Sequence, residues 1–206
     1  MNTLVGERDF YDDLDLSLNK AWAVIEPGAL KRASPAHTPV VATIGLDGFP
    51  QQRVMVLRAA KRDKRLLRFH TDIRSDKKKQ KGSASVLMYD AAEKVQLRLA
   101  GQITVQSEGA EVDAAWRDST TFARRCYMAH TAPGSIASEP NSGLPGWIEG
   151  QQPSEQQLTE YRPNFALLWL SVTTIEWLYL ANSGHRRAKW IWDDATSSWS
   201  GQWLVP

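Results

Sequence analysis

The sequence predicts a mainly β protein whose antiparallel strands close toward a barrel, with helices at its flanks. Three observations carry that reading. Short segments rich in Val, Ile and Leu recur through residues 39–107 and, joined by Trp, again through 165–204. Tight turn signals separate them: Asp47-Gly48, Lys61-Arg62-Asp63-Lys64 and Asp193-Asp194. Helical periodicity is confined to a stretch near the N-terminus and to residues 108–129.

Residues 9–26 place Phe10, Leu14, Leu18, Trp22 and Ile25 three and four apart, the pattern of an amphipathic helix. Acidic residues crowd its first turns and suit the positive end of the helix dipole. Pro27-Gly28 ends or interrupts it before Lys31. We expect strands over 39–46, 51–59 and 65–71, then a short helix over 74–82 with Ser75 near its start and Gly82 at its end. Strands over 85–90 and 94–107 follow. Gly101 within the second marks a bulge or a close backbone approach. These five strands read as an antiparallel meander with one helix inserted, and short loops with a shared apolar face favour closure over a flat sheet.

Residues 108–129 are expected to be helical, with a break near Asp118-Ser119. Between Thr131 and Pro163 stand five prolines and four glycines. We read 131–163 as a Pro/Gly-rich loop or lid, with one helical turn opened by Pro153-Ser-Glu-Gln-Gln. Strands over 165–172, 174–180, 188–192 and 198–204 complete the chain. The expectation is one domain over 1–206, with 1–34 as an N-terminal helical segment.

Composition limits the function classes. The 206 residues carry 42% hydrophobic residues and a formal charge of +2, enough for a full core and too little net charge to name a partner. One cysteine, Cys126, excludes an internal disulfide and fits a reducing compartment. No apolar run approaches the ~20 residues that span a bilayer. Met1 to Asp15 lacks the layout of a signal peptide, so we expect a cytoplasmic protein with no membrane association. The four histidines have no metal-like spacing, and the serines lack a nucleophile-elbow motif.

The most informative stretch is Arg53 to Lys77. Basic residues alternate with apolar ones, then meet Thr71 and Ser75 at a strand-to-helix junction. Phosphate recognition needs donors converging from several directions, and Arg53, Arg58, Thr71, Arg74, Ser75, Lys77 and Lys78 supply them. The competing reading is a solvated basic turn and helix face. Neither G-x-x-x-x-G-K-[ST] nor G-x-G-x-x-G occurs, so side chains and strand backbone must hold any nucleotide.

At these residues the chain resembles the pyridoxamine 5′-phosphate oxidase-like flavoproteins of the FMN-binding split-barrel fold. Arg53-Val54-Met55-Val56-Leu57-Arg58 is similar to that family's R-x-V-L-L-K strand. Phe69-His70-Thr71-Asp72 with Ser75-Asp76-Lys77 resembles its F-Y-T-N…S-R-K segment. Gln96 resembles its strand glutamine. Trp177 with His185 to Trp190 resembles its W…H-R-L-H-D-R-F element, one residue shorter, and Trp199…Pro206 its ending. The resemblance spans about residues 35–206, with 108–164 poorly matched.

The resemblance implies FMN at a homodimer interface. It implies that Arg53, Thr71, Ser75 and Lys77 hold the phosphate and ribityl end, with His70 beside them. The backbone of Val54, Met55, Val56 and Leu57, with Arg58 at its end, and the Gln96 amide would meet the ring edge. Trp177 and Lys189 would come from the second chain. Arg58, Arg186 and Arg187 would grip an anionic small-molecule substrate. Asp76 stands where the family has a second basic residue, and Ala188 where it has a substrate histidine. The implication is therefore an oxidase-related FMN oxidoreductase rather than a true pyridoxamine phosphate oxidase. Two alternatives are a flavin-binding protein or sensor without turnover, and a β-barrel binding single-stranded nucleic acid. The second is disfavoured by the small net charge, and we expect no nucleic-acid partner.

Overall fold

The computed structural model describes residues 9–75 and 82–206. Among these residues nine strands form one sheet: β1 (Val40–Ile44), β2 (Pro50–Val54), β3 (Ala59–Lys61), β4 (Leu66–Asp72), β5 (Gly82–Asp90), β6 (Val95–Gln106), β7 (Phe165–Tyr179), β8 (Arg186–Asp193) and β9 (Ser198–Leu204). Their order is β2-β1-β5-β6-β7-β4-β3, with β8 and β9 continuing from β7.

This order departs from a meander, because β2 and β3, consecutive in sequence, lie at opposite ends of the path. The reason lies in the backbone after Val54. Met55 N–H donates to Pro39 O at 3.0 Å and Leu57 N–H to His37 O at 2.8 Å, on the β1 side. Arg58 N–H then donates to Arg68 O at 2.8 Å, on the β4 side. The predicted strand over 51–59 is thus two strands joined by a four-residue corner, and its amides change partner there. A flat sheet would hold its two end strands about 29 Å apart across six spacings of about 4.8 Å. Five residue steps reach at most about 18 Å, so the sheet must curl. An antiparallel sheet curled toward closure, with an open seam and flanking helices, is the split-barrel fold.

Contacts divide the described chain into two compact units. The first comprises residues up to Phe69, Gly82–Ile103 and Leu170–Pro206; the second comprises His70–Ser75 and Thr104–Trp169. In the first unit, α1 (Leu14–Leu30) starts at Asp13, whose carboxylate accepts from Leu16 N–H at 2.9 Å. A 3₁₀ turn, Asp9–Asp12, precedes it. Pro27 does not end the helix. The proline lacks a donor, but its carbonyl accepts from Lys31 N–H at 2.8 Å, and the helix runs to Leu30. Gly28 is instead a point of close approach, where a Cβ would lie 2.5 Å from Ala36 O. Ala21, Trp22 and Ile25 on α1 are buried, as are Leu57, Leu67, Phe69, Leu97, Leu99, Ile175, Trp177 and Trp190.

The Asp47-Gly48 hairpin forms as expected, with Gly48 at φ +80° and Gly45 N–H donating to Phe49 O. Gly101 is a close approach of backbones, since a Cβ there would sit 1.8 Å from Ser171 O on β7. The two strands expected over 165–180 are one strand of 15 residues. Arg65, at the start of the strand expected over 65–71, lays its guanidinium 3.9 Å from the centre of the Trp192 ring and donates to Val172 O.

In the second unit, the expected helical stretch breaks where predicted. Helix α2 (Ala110–Asp118) ends at Ser119, and Thr120 caps α3 (Thr121–Arg124) through Ala123 N–H. Trp116 and Phe165 each meet Tyr127 edge-on and lie tilted at 58° to one another. Helix α4 (Glu155–Leu158) carries a reciprocal capping box between Ser154 and Gln157. The Arg124 guanidinium, 3% exposed as a residue, clasps the Glu155 carboxylate. Ile148, Pro153 and Leu158 are buried, whereas residues 133–142 are exposed throughout. No helix among the described residues is long and apolar enough to cross a membrane.

Candidate functional site

In the first unit, Arg53 on β2 stands opposite Val41, and its guanidinium donates to the buried Thr43 hydroxyl. Partial burial lowers the Arg53 pKa from its ordinary value, yet a guanidinium remains charged at neutral pH. Among the described residues no carboxylate forms an ion pair with Arg53. A half-desolvated cation with only a neutral partner suits an anionic ligand, because the charge is otherwise uncompensated.

Beyond Arg53, strand alternation sets the roles. Met55 and Leu57 are buried and their amides point to the β1 side. The Val56 amide therefore points the opposite way, past the sheet's end strand, where it can serve a ligand's polar edge. Val54 is 65% exposed. Arg58 sits at the corner, and its buried Nε has no hydrogen-bond partner.

The outer face of the sheet in this unit gathers a second set. On β6, Gln96 and Arg98 face outward opposite Tyr89 and Leu87 of β5, while Val95, Leu97 and Leu99 face the core. On β7 and β8, Glu176 stands opposite Lys189. Ser85, Leu87, Arg98, Thr174, Glu176 and Lys189 line an open cleft of about 430 Å³. Glu176 Oε1 accepts from Arg98, and from Arg187 at 2.7 and 3.0 Å. Among the described residues Lys189 has no ion-pair partner.

Trp177 has the opposite parity. It is fully buried in its own chain, parallel to Tyr179 with ring centres 5.9 Å apart and covered edge-on by Phe10. The structure does not bring this ring to a surface where a second chain's ligand could meet it. Arg186 and Arg187 already have carboxylate partners: Arg186 Nε donates to Asp12 at 2.9 Å, and Arg187 holds Glu176. A further hollow of about 500 Å³ is lined by Tyr11, Asp12, Arg186 and Trp203 with the C-terminal residues.

In the second unit, the end of β4 turns tightly. Ser75 N–H donates to Asp72 O at 3.1 Å, and the Ser75 hydroxyl to the same oxygen at 2.7 Å. The Thr71 and Ser75 hydroxyls lie 3.4 Å apart and both residues are buried. Arg74 is committed elsewhere. It forks onto Asp72 through Nε at 3.0 Å and a terminal nitrogen at 2.7 Å, and donates to Ala129 O. That carboxylate hydrogen bond raises the Arg74 pKa. His70 packs edge-on against Phe165, ring centres 4.8 Å apart. Lys77, together with the rest of the helix expected over 74–82 up to Lys81, lies outside the described residues.

Sequence reasoning missed Arg98, Thr174 and Glu176. The available signal was alternation: each interrupts an apolar strand at the outward parity that Gln96 and Lys189 share.

In the first unit a partly desolvated arginine with outward amide and ammonium groups, and in the second a pair of strand-end hydroxyls, are donor types suited to an anionic ligand. Residues 19–107 match the family model described as pyridoxamine 5′-phosphate oxidase, FMN-binding domain. The chain is similar to a solved pyridoxamine 5′-phosphate oxidase-related, FMN-binding protein from Nostoc punctiforme. The TM-score is 0.70 and the identity 26%, covering 91% of this chain and 96% of that one. PhzG from Burkholderia lata, solved in complex with tetrahydrophenazine-1-carboxylic acid, shares the fold at TM-score 0.65 and 20% identity over the whole of both chains. A general stress protein 26-related protein from Clostridium acetobutylicum shares it at TM-score 0.51 and 12% identity, covering 82% of this chain and 92% of that one. No curated protein matches. The domain matched over residues 19–107 is an FMN-binding one, as is the similar Nostoc punctiforme protein, so the cofactor of that domain is FMN.

Proposed function

We propose that the chain is an FMN-dependent oxidoreductase of the oxidase-related type, acting as a homodimer on a small anionic molecule. The observation that carries this reading is the match over 19–107, which contains the desolvated Arg53, the Val56 edge amide, the Thr71–Ser75 hydroxyl pair and Gln96. The donor types fit the cofactor. A phosphate dianion asks for a guanidinium and hydroxyl donors, and a flavin's polar ring edge asks for amide and backbone partners.

When bound, the flavin supplies two-electron transfer, and the protein supplies binding, orientation and electrostatics. Arg53 neutralises phosphate charge. In the second unit, the Thr71 and Ser75 hydroxyls lie at the end of β4, where Ser75 must first exchange its bond to Asp72 O, and Lys77 is the further candidate cation. The Val54–Leu57 backbone and Gln96 orient the ring edge, and Lys189, contributed by the second copy, places a cation against it. Arg58, with its unused buried Nε, is the strongest candidate for an anionic group of the substrate. Arg186 and Arg187 must first exchange a carboxylate partner.

The test is spectroscopic. The purified protein, or the protein incubated with FMN, should show protein-bound flavin absorbance that bleaches anaerobically with a reduced nicotinamide or an amine substrate. Bound flavin that no reductant bleaches except dithionite would favour a binding or sensor role. Protein that takes up no FMN would refute the proposal.

A further inference from the structure

The outer-face cleft has an unusual balance of charge. Two cations, Arg98 and Lys189, line it with one carboxylate, Glu176, and a third cation, Arg187, reaches the same carboxylate from outside the lining. That carboxylate is 13% exposed as a side chain, and a single oxygen serves both arginines. The arginines are thereby drawn to Glu176 and their charge is partly spent. Lys189, directly across the strand pair from Glu176, is left as the unspent cation.

The side chains have fixed supports. Arg98 stands opposite Leu87 on β5, Glu176 lies mid-strand on β7, and Lys189 is held between β7 and β9 opposite Gln202. All are outward by strand parity, so the charge pattern belongs to the sheet rather than to a loop. The cleft's Ser85 and Thr174 hydroxyls can turn as donors or acceptors. Leu87 provides an apolar wall that weakens solvent screening.

We propose that Glu176 is a positioning residue that sets the charge of this cleft through Arg98 and Arg187, and that the cleft favours the more negative redox form of the bound flavin at Lys189. The inference rests on the FMN reading above. Reduction adds two electrons and takes one proton from solvent, leaving the ring with one more negative charge than in the oxidised state. A cleft with cations in excess binds that form more tightly than the oxidised form, and the difference in affinity is a shift in reduction potential.

The experiment is a potentiometric titration of the FMN-loaded full chain, with dithionite as reductant and a reference dye, alongside the FMN dissociation constant of each variant. Lys189→Met should lower the ratio of reduced-form to oxidised-form affinity about tenfold, which is about 30 mV for a two-electron couple. Arg98→Gln, at a side chain 51% exposed, should move it the same way by less. Glu176→Gln, which removes the one negative charge and frees two arginines, should move it the opposite way. Lys189→Arg should keep the ratio within about twofold. Potentials unchanged in Lys189→Met and Arg98→Gln, with FMN still bound, would overturn the inference and leave the FMN reading standing. Failure of the unaltered chain to bind FMN would overturn both. The exposed Arg98 site keeps the test decisive even if Glu176→Gln folds poorly.

Discussion

Gly101 offers the sharpest test of how β6 and β7 meet. A Cβ at this position would lie 1.8 Å from Ser171 O, 2.7 Å from its carbonyl carbon and 3.1 Å from Val172 Cα. All three are backbone atoms, so no rotamer change can relieve the contact. Ordinary contacts begin at 3.4 Å, so the two strands must separate by more than an ångström locally. Such a displacement stretches neighbouring ladder hydrogen bonds beyond useful length. Alanine gains about 0.5–1 kcal/mol over glycine in the middle of a strand. Overpacking with backbone displacement costs about 3 kcal/mol or more. The net expectation for Gly101→Ala is a loss of at least about 2 kcal/mol, or about 4–8 °C in Tm for a chain of this size. The assay is thermal unfolding followed by far-ultraviolet circular dichroism. Gly146→Ala serves as the control, because nothing lies within 4 Å of a Cβ there. A Gly101→Ala melt within about a degree of the unaltered protein would refute the close approach and the register it implies.

Three further outcomes are expected. Arg53→Gln should weaken FMN binding about 10- to 100-fold by flavin-fluorescence titration, the loss of one charge-assisted contact of about 1.5–3 kcal/mol; unchanged affinity would remove Arg53 from the site. Trp177→Phe should destabilise the fold, since the ring is fully buried, while leaving FMN affinity within about twofold; a selective loss of FMN with unchanged stability would restore Trp177 as a cofactor contact. The Arg124 hydrogen bond holds the Glu155 carboxyl below its ordinary value of 4.5. Its stabilising contribution is therefore present above that value and disappears as pH falls through the lower folded-state value. The stability difference between the unaltered protein and Glu155→Gln should be largest at neutral pH and vanish in acid, and a gap that widens in acid would contradict the assignment.

Much of the fold was legible because local signals agreed with the global arrangement. The Asp47-Gly48 turn, the Ser154 cap and the break at Ser119 each follow from residues within four positions of one another. What escaped depends on distant partners. Pro27 reads as a stop, yet the helix continues because Gly28 can pack against Ala36 and lose nothing by lacking a side chain. The corner at 55–58 is invisible in a run of alternating residues, since the alternation persists while the amides exchange β1 for β4. Nor does the sequence pair Arg65 with Trp192, the ring it lies over, because that ring is far along the chain.

The site divides the same way. Residue types suited to phosphate were readable from Arg53, Thr71 and Ser75. Parity was not, because a one-residue offset within a 15-residue strand exchanges core for surface. Trp177 looked like an aromatic beside a basic turn, and its neighbour Glu176 carried the outward position. Arg186 and Arg187 looked free in sequence and are paired in space, one to Asp12 from the N-terminal turn and the other to Glu176. Counting charges along a chain gives no access to such pairings, which decide whether a cation is available to a ligand.

The most direct test of the central claim is the stoichiometry of FMN on the purified chain, read from visible absorbance together with the molar mass in solution by light scattering. The account predicts one FMN per chain, on a species of twice the chain mass. A colourless monomer that cannot be reconstituted with excess FMN would contradict it.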